Sequence, residues 1–217
     1  MTLEKMTDFF EARLSGYDEH MLCEIEGARE FYPFTASLLP CGGGTRVLDL
    51  GCGTGLELEE YFKLCPDALV TGIDLSRAML DELQKKLPDK DITLLCGSYF
   101  DLPLGEKIYD AALSVESLHH FTKEEKVELY KKLYISLKEG GYFLLTDYFA
   151  VSYEEEKSFR ETLEHLKTEQ AITDGEFYHF DTPLTLENET DALIKAGFSS
   201  VEILGNWGAT YALKAVK

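Results

Sequence analysis

The stretch Val47-Leu48-Asp49-Leu50-Gly51-Cys52-Gly53-Thr54-Gly55 sets three glycines at alternate positions, directly after an apolar run that carries an acid. Glycine takes positive φ without steric cost and lets a ligand lie against the backbone, because no Cβ stands in the way. A dinucleotide turn reads G-x-G-x-x-G. Here the spacing is G-x-G-x-G, and Leu56 stands where the last glycine of that pattern belongs, which counts against a nicotinamide or flavin cofactor. Asp74 closes a second apolar run in Gly-Ile-Asp-Leu-Ser, 23 residues after Gly51. A carboxylate there can accept from both hydroxyls of a ribose. Service as an acid at a helix N-terminus is the alternative, and ribose binding is the favoured reading.

These residues need a scaffold, and the sequence describes one. From residue 45 on, runs rich in Val, Ile and Leu alternate with amphipathic segments. Strands are expected at 46–51, 68–75, 91–97, 108–115 and 140–149, and helices at 56–64, 76–87, 122–137, 152–169 and 185–198. Ser76 is placed to cap the second helix, and Thr122 with Glu125 fits a capping box. Val127, Tyr130, Tyr134 and Leu137 give the helix after Thr122 an apolar stripe, and Gly197 suits a helix C-terminus. Residues 200–206 and 209–216 read as a closing antiparallel pair around Trp207-Gly208. Such alternation means a mostly parallel sheet covered on both faces, with right-handed crossovers. Residues 3–39 read as helical, with a break or kink at Pro33. Ligands in such folds bind at the carboxyl ends of the strands, where strand order reverses. The first strand-to-helix turn, with its glycines, belongs there.

Composition narrows the partners. The chain has 217 residues, 21 Lys and Arg against 40 Asp and Glu, and a net charge of −19. That surface repels phosphate backbones and suits small neutral or cationic molecules. Neither nucleic acid nor a membrane is expected as a partner. Cys23, Cys41, Cys52, Cys65 and Cys96 are odd in number and show no C-x-x-C spacing, so neither a zinc site nor a disulfide framework is expected. Free thiols, a charged N-terminal segment without a signal-peptide core, and no run of about 18 apolar residues give a cytoplasmic expectation.

With Gly-Ile-Asp-Leu-Ser and Ser-Leu-His-His-Phe in order behind Val47–Gly55, residues 45–148 resemble the class I S-adenosylmethionine-dependent methyltransferases. The resemblance implies a Rossmann-like, doubly wound α/β fold: a mostly parallel seven-stranded sheet with an antiparallel C-terminal strand and a helical N-terminal cap. It implies one domain over residues 1–217: a cap at 1–40, a cofactor-binding core at 45–148, an insertion or substrate lid at 149–185, and a C-terminal helix and strand pair at 186–217. The implied cofactor is S-adenosyl-L-methionine. Asp49 and the turn of Gly51, Cys52, Gly53, Thr54 and Gly55 would hold its methionine part, with Tyr17 reaching over from the cap. Asp74 would bind the ribose and Leu75 would touch the adenine. Ser98, where many members carry Asp, and Tyr99 would flank the adenine, and Val115 would line the floor under the sulfonium. Asp49 reads equally well as a turn residue, and Cys52 as packing.

Methyl transfer from a sulfonium is an in-line displacement with a neutral leaving group. Alignment and desolvation can carry most of it. A base is needed only where the acceptor must lose a proton. The catalytic candidates are Glu116, His119 and His120, with Tyr17 and His20 nearby on the cap. For the histidines, packing against the core or orienting the loop is favoured over catalysis, and Glu116 can attract a cationic amine, act as base or stand in solvent. The acceptor pocket is expected from the cap, from Tyr148 and Phe149, and from the insertion. There Phe177, Tyr178, His179 and Phe180 form either an aromatic lid or a hydrophobic plug. A small-molecule methyl acceptor is expected, for a monomer or homodimer. Protein or RNA methylation, or S-adenosylmethionine binding without catalysis, are the alternatives.

Overall fold

Strand β1 (Arg46–Leu50) carries the alternation that explains the layers. Val47 packs in the core on one face of the sheet, Leu48 and Leu50 in the core on the other, and all are fully buried. The computed structural model describes residues 1–217. Around β1 stand β2 (Leu69–Asp74), β3 (Ile92–Cys96), β4 (Tyr109–Val115), β5 (Leu137–Tyr148), β6 (Ser200–Trp207) and β7 (Thr210–Val216). They form one seven-stranded sheet in the order β3-β2-β1-β4-β5-β7-β6. Strands β1 to β5 pair in parallel, and β7 runs antiparallel between β5 and β6.

Helices α4 (Leu56–Leu64) and α5 (Arg77–Lys86) return the chain between the first three strands. Helices α6 (Lys123–Ser136) and α8 (Leu186–Ala196) pack together on the opposite face. The expected caps form. Ser76 Oγ accepts from Met79 N, Thr122 and Glu125 close a capping box, and Gly197 ends α8 at φ 116°. Helix α7 (Tyr153–Glu169) lies in the stretch between β5 and α8.

Three expectations shift. The N-terminal region is three helices, α1 (Met6–Arg13), α2 (Tyr17–Glu24) and α3 (Ala28–Ser37), with breaks before Tyr17 and at Gly27, while α3 runs through Pro33. Glycine sets the second break, since Gly27 lies at φ 77° with its Cα against the Trp207 side chain. On α6 the buried apolar face is Leu129, Tyr130 and Leu133, whereas Val127 and Tyr134 are half-buried and Leu137 has entered β5. The reason is Lys126, which is 2% exposed: its ammonium lies 2.6 Å from Glu189 Oε2 on α8, and the Tyr130 hydroxyl donates to the other oxygen of that carboxylate. The apolar stripe is rotated to admit a charge pair. Strand β5 starts at Leu137, ahead of the glycines, and its pairing with β4 slips between Tyr109 and Ala111.

Helix α2 is tied to the glycine turn by Asp18, which accepts from Thr54 Oγ1 at 2.5 Å and pairs with Lys86 of α5. The segment before α1 and the stretch after α7 hold each other by Met6 N to Phe177 O and His179 N to Glu4 O. No helix is long and apolar enough to cross a membrane.

Candidate active site

Strand order reverses between β1 and β4, so the turns that follow these strands face each other across a crevice. Gly51 lies at φ 77°, and a Cβ there would stand 2.0 Å from Ser117 Oγ. The close approach of the two turns therefore requires glycine. Gly53, at φ 47°, donates its N–H to Asp74 Oδ2 at 2.9 Å, while Ser76 N donates to Oδ1 at 2.8 Å. Burial raises the Asp74 carboxyl, and these two N–H groups work against that shift.

The result is a small groove of about 40 Å³ beside the glycine turn. Of the residues expected at a cofactor, Tyr17, Gly51, Gly53, Asp74, Leu75 and Tyr99 line it. Met6, Phe10, Met79 and Ser117 join them without a signal in the sequence. Asp49, Cys52, Thr54, Gly55, Ser98 and Val115 do not line it. Cys52 is buried against Gly72, Thr54 holds the cap through Asp18, and Gly55 starts α4 in a left-handed conformation against Leu83. Ser98 Oγ accepts from Phe100 N, and Val115 is buried at the end of β4. Asp49 is fully buried, and neither of its oxygens has a donor. Burial and then the neighbouring Glu57 push its carboxyl well up, and burial takes Glu57 itself to about 7. Two carboxyls thus stand close together in the core behind the glycine turn, each pushed up chiefly by burial.

A second, larger cavity of about 840 Å³ opens between the cap, the β4 and β5 turns and the insertion. Phe10, Tyr17, Glu116 and His120 border both it and the groove. Glu116 sits at this junction at φ 48°, a left-handed conformation that a non-glycine residue adopts at a cost of about 1–3 kcal/mol. Its Oε1 accepts from the Thr210 hydroxyl at 3.1 Å. Burial, and then the Asp147 carboxylate, push Glu116 up to about 7.

His119 and His120 form a 3-10 turn after β4, and both line the cavity. His119 Nδ1 lies 2.5 Å from Asp147 Oδ1, and its Nε2 lies 3.6 Å from Asp181 Oδ1. Burial opposes charge on this ring, but the Asp147 carboxylate, then Asp181 and Glu116, raise it to about 9. His120 Nδ1 is 3.2 Å from Asp181 Oδ1, yet burial and the charged His119 lower it. His119 is therefore an imidazolium held between acids, and His120 is neutral. His119 bound as a cation stabilises the fold fully below its ordinary 6.5, and that contribution is lost as pH rises through about 9. The melting temperature of the wild type is expected to fall between pH 6.5 and 9, and that of His119→Gln to fall less. Equal slopes in the two melting series would overturn this.

His20 stands exposed on the cavity rim. Tyr148 lines the cavity, but Phe149 points into the core and reaches only a separate groove. The aromatic run of the insertion divides. Phe177 packs on Phe100 and Phe121, and Tyr178 and Phe180 pack on Leu3, Leu163 and Leu166. His179 alone lines the cavity, stacked on Phe9 with centroids 3.4 Å apart. The run is thus mainly a plug, with one residue on the cavity. Asp147 could have been found in the sequence. It lies near the carboxyl end of β5, whose neighbour Thr146 pairs with Val115 at the end of β4. Asp181 carries no such signal.

The sequence from Val47 to Gly141 matches the family model described as "Methyltransferase domain". Family model, relatives and fold together support a class I S-adenosylmethionine-dependent methyltransferase. The chain is 32% identical over 102 residues to the malonyl-[acyl-carrier protein] O-methyltransferase of Priestia megaterium, a match that covers 47% of this chain and about a third, 36%, of that protein's length. It is 26% identical over 223 residues to the carboxy-S-adenosyl-L-methionine synthase of Campylobacter fetus, covering 94% of this chain and 92% of that one. Among solved structures, the complex of the Haloferax volcanii Trm112 methyltransferase activator with a candidate methyltransferase superposes with a TM-score of 0.69 over 99% of both chains at 18% identity. That likeness is one of fold. The family's cofactor is S-adenosylmethionine, and its seven-stranded sheet with one reversed strand is the sheet found here.

Proposed function

We propose that the protein transfers a methyl group from S-adenosylmethionine to a small-molecule acceptor. The observation that carries this reading is the junction. A groove beside the glycine turn and a cavity large enough for a small organic molecule share Phe10, Tyr17, Glu116 and His120. Donor and acceptor held on either side would meet at these four residues, and alignment is the main requirement of the displacement.

The residues of the groove fit the cofactor. Asp74 spends one acceptor site of each oxygen on Gly53 and Ser76, which leaves a lone pair on each for a ribose hydroxyl. Leu75, Met79 and Tyr99 offer an apolar slot for a purine. Gly51 and Gly53 leave the backbone open to the amino-acid end. When bound, the cofactor supplies an electrophilic methyl carbon. The chain's part is to align it and to handle the acceptor's proton through Glu116, with His119 and His120 forming the cavity wall. Met6, Phe10 and Tyr17 of the N-terminal region close the groove to its present volume, so the cap acts as its lid, and residues 149–185 close the acceptor side.

A thermal-shift titration with S-adenosylmethionine, S-adenosylhomocysteine and NAD tests the reading. Binding at about a hundredfold excess over Kd adds about 2.7 kcal/mol, or roughly 5–10 °C for a chain of this size. Shifts with both sulfur ligands and none with NAD are expected. No shift with the sulfur ligands at millimolar concentration would overturn it. S-adenosylhomocysteine release with acceptor panels follows, and the mass of the spent cofactor separates methyl transfer from modification of the cofactor itself.

A further inference from the structure

Carboxylates outnumber cations around the acceptor cavity, where the His119 imidazolium faces Asp181. Glu24, Glu26, Glu116 and Asp181 line it, and none of them pairs with a lysine or arginine. The only lysine or arginine in the lining is Arg13. Its guanidinium is already committed, forked onto Glu4 at 3.0 and 3.3 Å and laid 3.7 Å over the Phe9 ring. Apolar wall comes from rings: Phe9, Phe10, Tyr148 and Trp207. Trp207 is fixed in place by Phe34, by Gly27 and by a hydrogen bond from its Nε1 to Glu30.

We propose that the acceptor is an organic ammonium, held by the Glu116 carboxylate among the aromatic walls of this cavity and methylated on nitrogen. The inference rests on the methyltransferase reading above and names its substrate class. Three physical arguments carry it. Three carboxylates, Asp147, Asp181 and Glu116, face the single His119 imidazolium, and carboxylates in excess of cations become costly as a ligand displaces water from around them, a cost that a cationic ligand lowers and an anionic one adds to. Aromatic faces attract ammonium groups, most strongly when both are desolvated. The acceptor's proton also needs a place to go. His119 already holds its second proton between Asp147 and Asp181 and takes no other. Glu116 is the acceptor of protons at the junction, with Asp147, His119, Asp181 and the Thr210 hydroxyl facing it. A carboxylate that titrates near neutrality can take a proton from an ammonium, and it is far too weak a base for an alcohol.

The balance closes. The ammonium gives one proton to Glu116, and the freed lone pair on nitrogen forms the new N–C bond. The bond from that carbon to sulfur breaks with both electrons left on sulfur, which becomes a neutral thioether. Glu116 returns the proton to water as the product leaves.

The test uses three isosteric probes on the full chain saturated with S-adenosylhomocysteine: phenethylamine, 2-phenylethanol and phenylacetate. By calorimetry the ammonium is expected to bind at least about tenfold more tightly than the alcohol, and phenylacetate most weakly, since tenfold corresponds to one charge-assisted contact. Glu116→Gln is expected to reduce the ratio of amine to alcohol affinity to near unity. Asp181→Asn, which keeps Glu116, is expected to retain a preference for the amine, so a misfolded first variant does not leave the question open. An equal response to the three probes, including none to any, overturns the proposal, as does an amine preference that survives Glu116→Gln. If S-adenosylhomocysteine itself fails to shift the melting temperature of the wild type, the methyltransferase reading fails with it. An intact shift without an amine preference overturns the acceptor class alone.

Discussion

Glu189→Ala is expected to lower the melting temperature by about 10 °C. Glu189 is fully buried and answers two groups at once, the ammonium of Lys126 at 2.6 Å and the hydroxyl of Tyr130. Removing the carboxylate leaves Lys126, 2% exposed, as a buried charge without a partner. Breaking one side of a buried pair costs about 3–5 kcal/mol, and at this chain length each kcal/mol moves the midpoint by roughly 2–4 °C. The loss belongs to the orphaned charge more than to the pair. The double variant Lys126→Met with Glu189→Leu is therefore expected to recover most of the stability. Thermal melts by circular dichroism read both. Because α6 and α8 lie on the face of the sheet away from α4, the S-adenosylhomocysteine shift is expected to persist in whatever fraction folds. A Glu189→Ala midpoint within about 2 °C of wild type would show that the pair contributes little.

Asp74→Ala is expected to weaken S-adenosylhomocysteine binding by about a hundredfold to ten-thousandfold. Two hydrogen bonds from ribose hydroxyls to a carboxylate contribute about 1.5–3 kcal/mol each. The substitution also strips the acceptor from Gly53 N–H and Ser76 N–H, so the glycine turn loses the brace that holds its shape. Asp74→Asn should fall between wild type and Ala, because its amide nitrogen would oppose one of those two N–H donors. Calorimetric titration decides it, with the melting temperature of the free variant as the control for folding. An affinity within threefold of wild type would remove Asp74 from the cofactor site.

Much of this molecule was legible residue by residue. The strand-turn-helix at Val47–Gly55, the caps at Ser76, Thr122 and Gly197, and the closing hairpin around Trp207 all follow from local chemistry. Local chemistry needs only neighbours in the chain: the period of apolar side chains, a hydroxyl three residues before an N–H, a glycine at positive φ. The groove was legible in half of its expected residues, because the rule that ligands sit at the carboxyl ends of strands converts order along the chain into proximity. Six expected residues fell elsewhere, since a turn presents alternate side chains to opposite sides and packing claims half of them.

Local sequence alone specifies the alternating α/β framework, the methyltransferase resemblance of residues 45–148 and the glycine turn with Asp74 beside it. Only the tertiary structure decided which charges meet. Lys126 faces Glu189 across 63 positions, His119 is clamped between Asp147 and Asp181, and Glu116 comes to stand where groove and cavity join. The physical reason is that hydrophobic patterning specifies which face of an element is buried, whereas the partner of a charge is set by the register and rotation at which two elements pack. That register has no signature within either element alone.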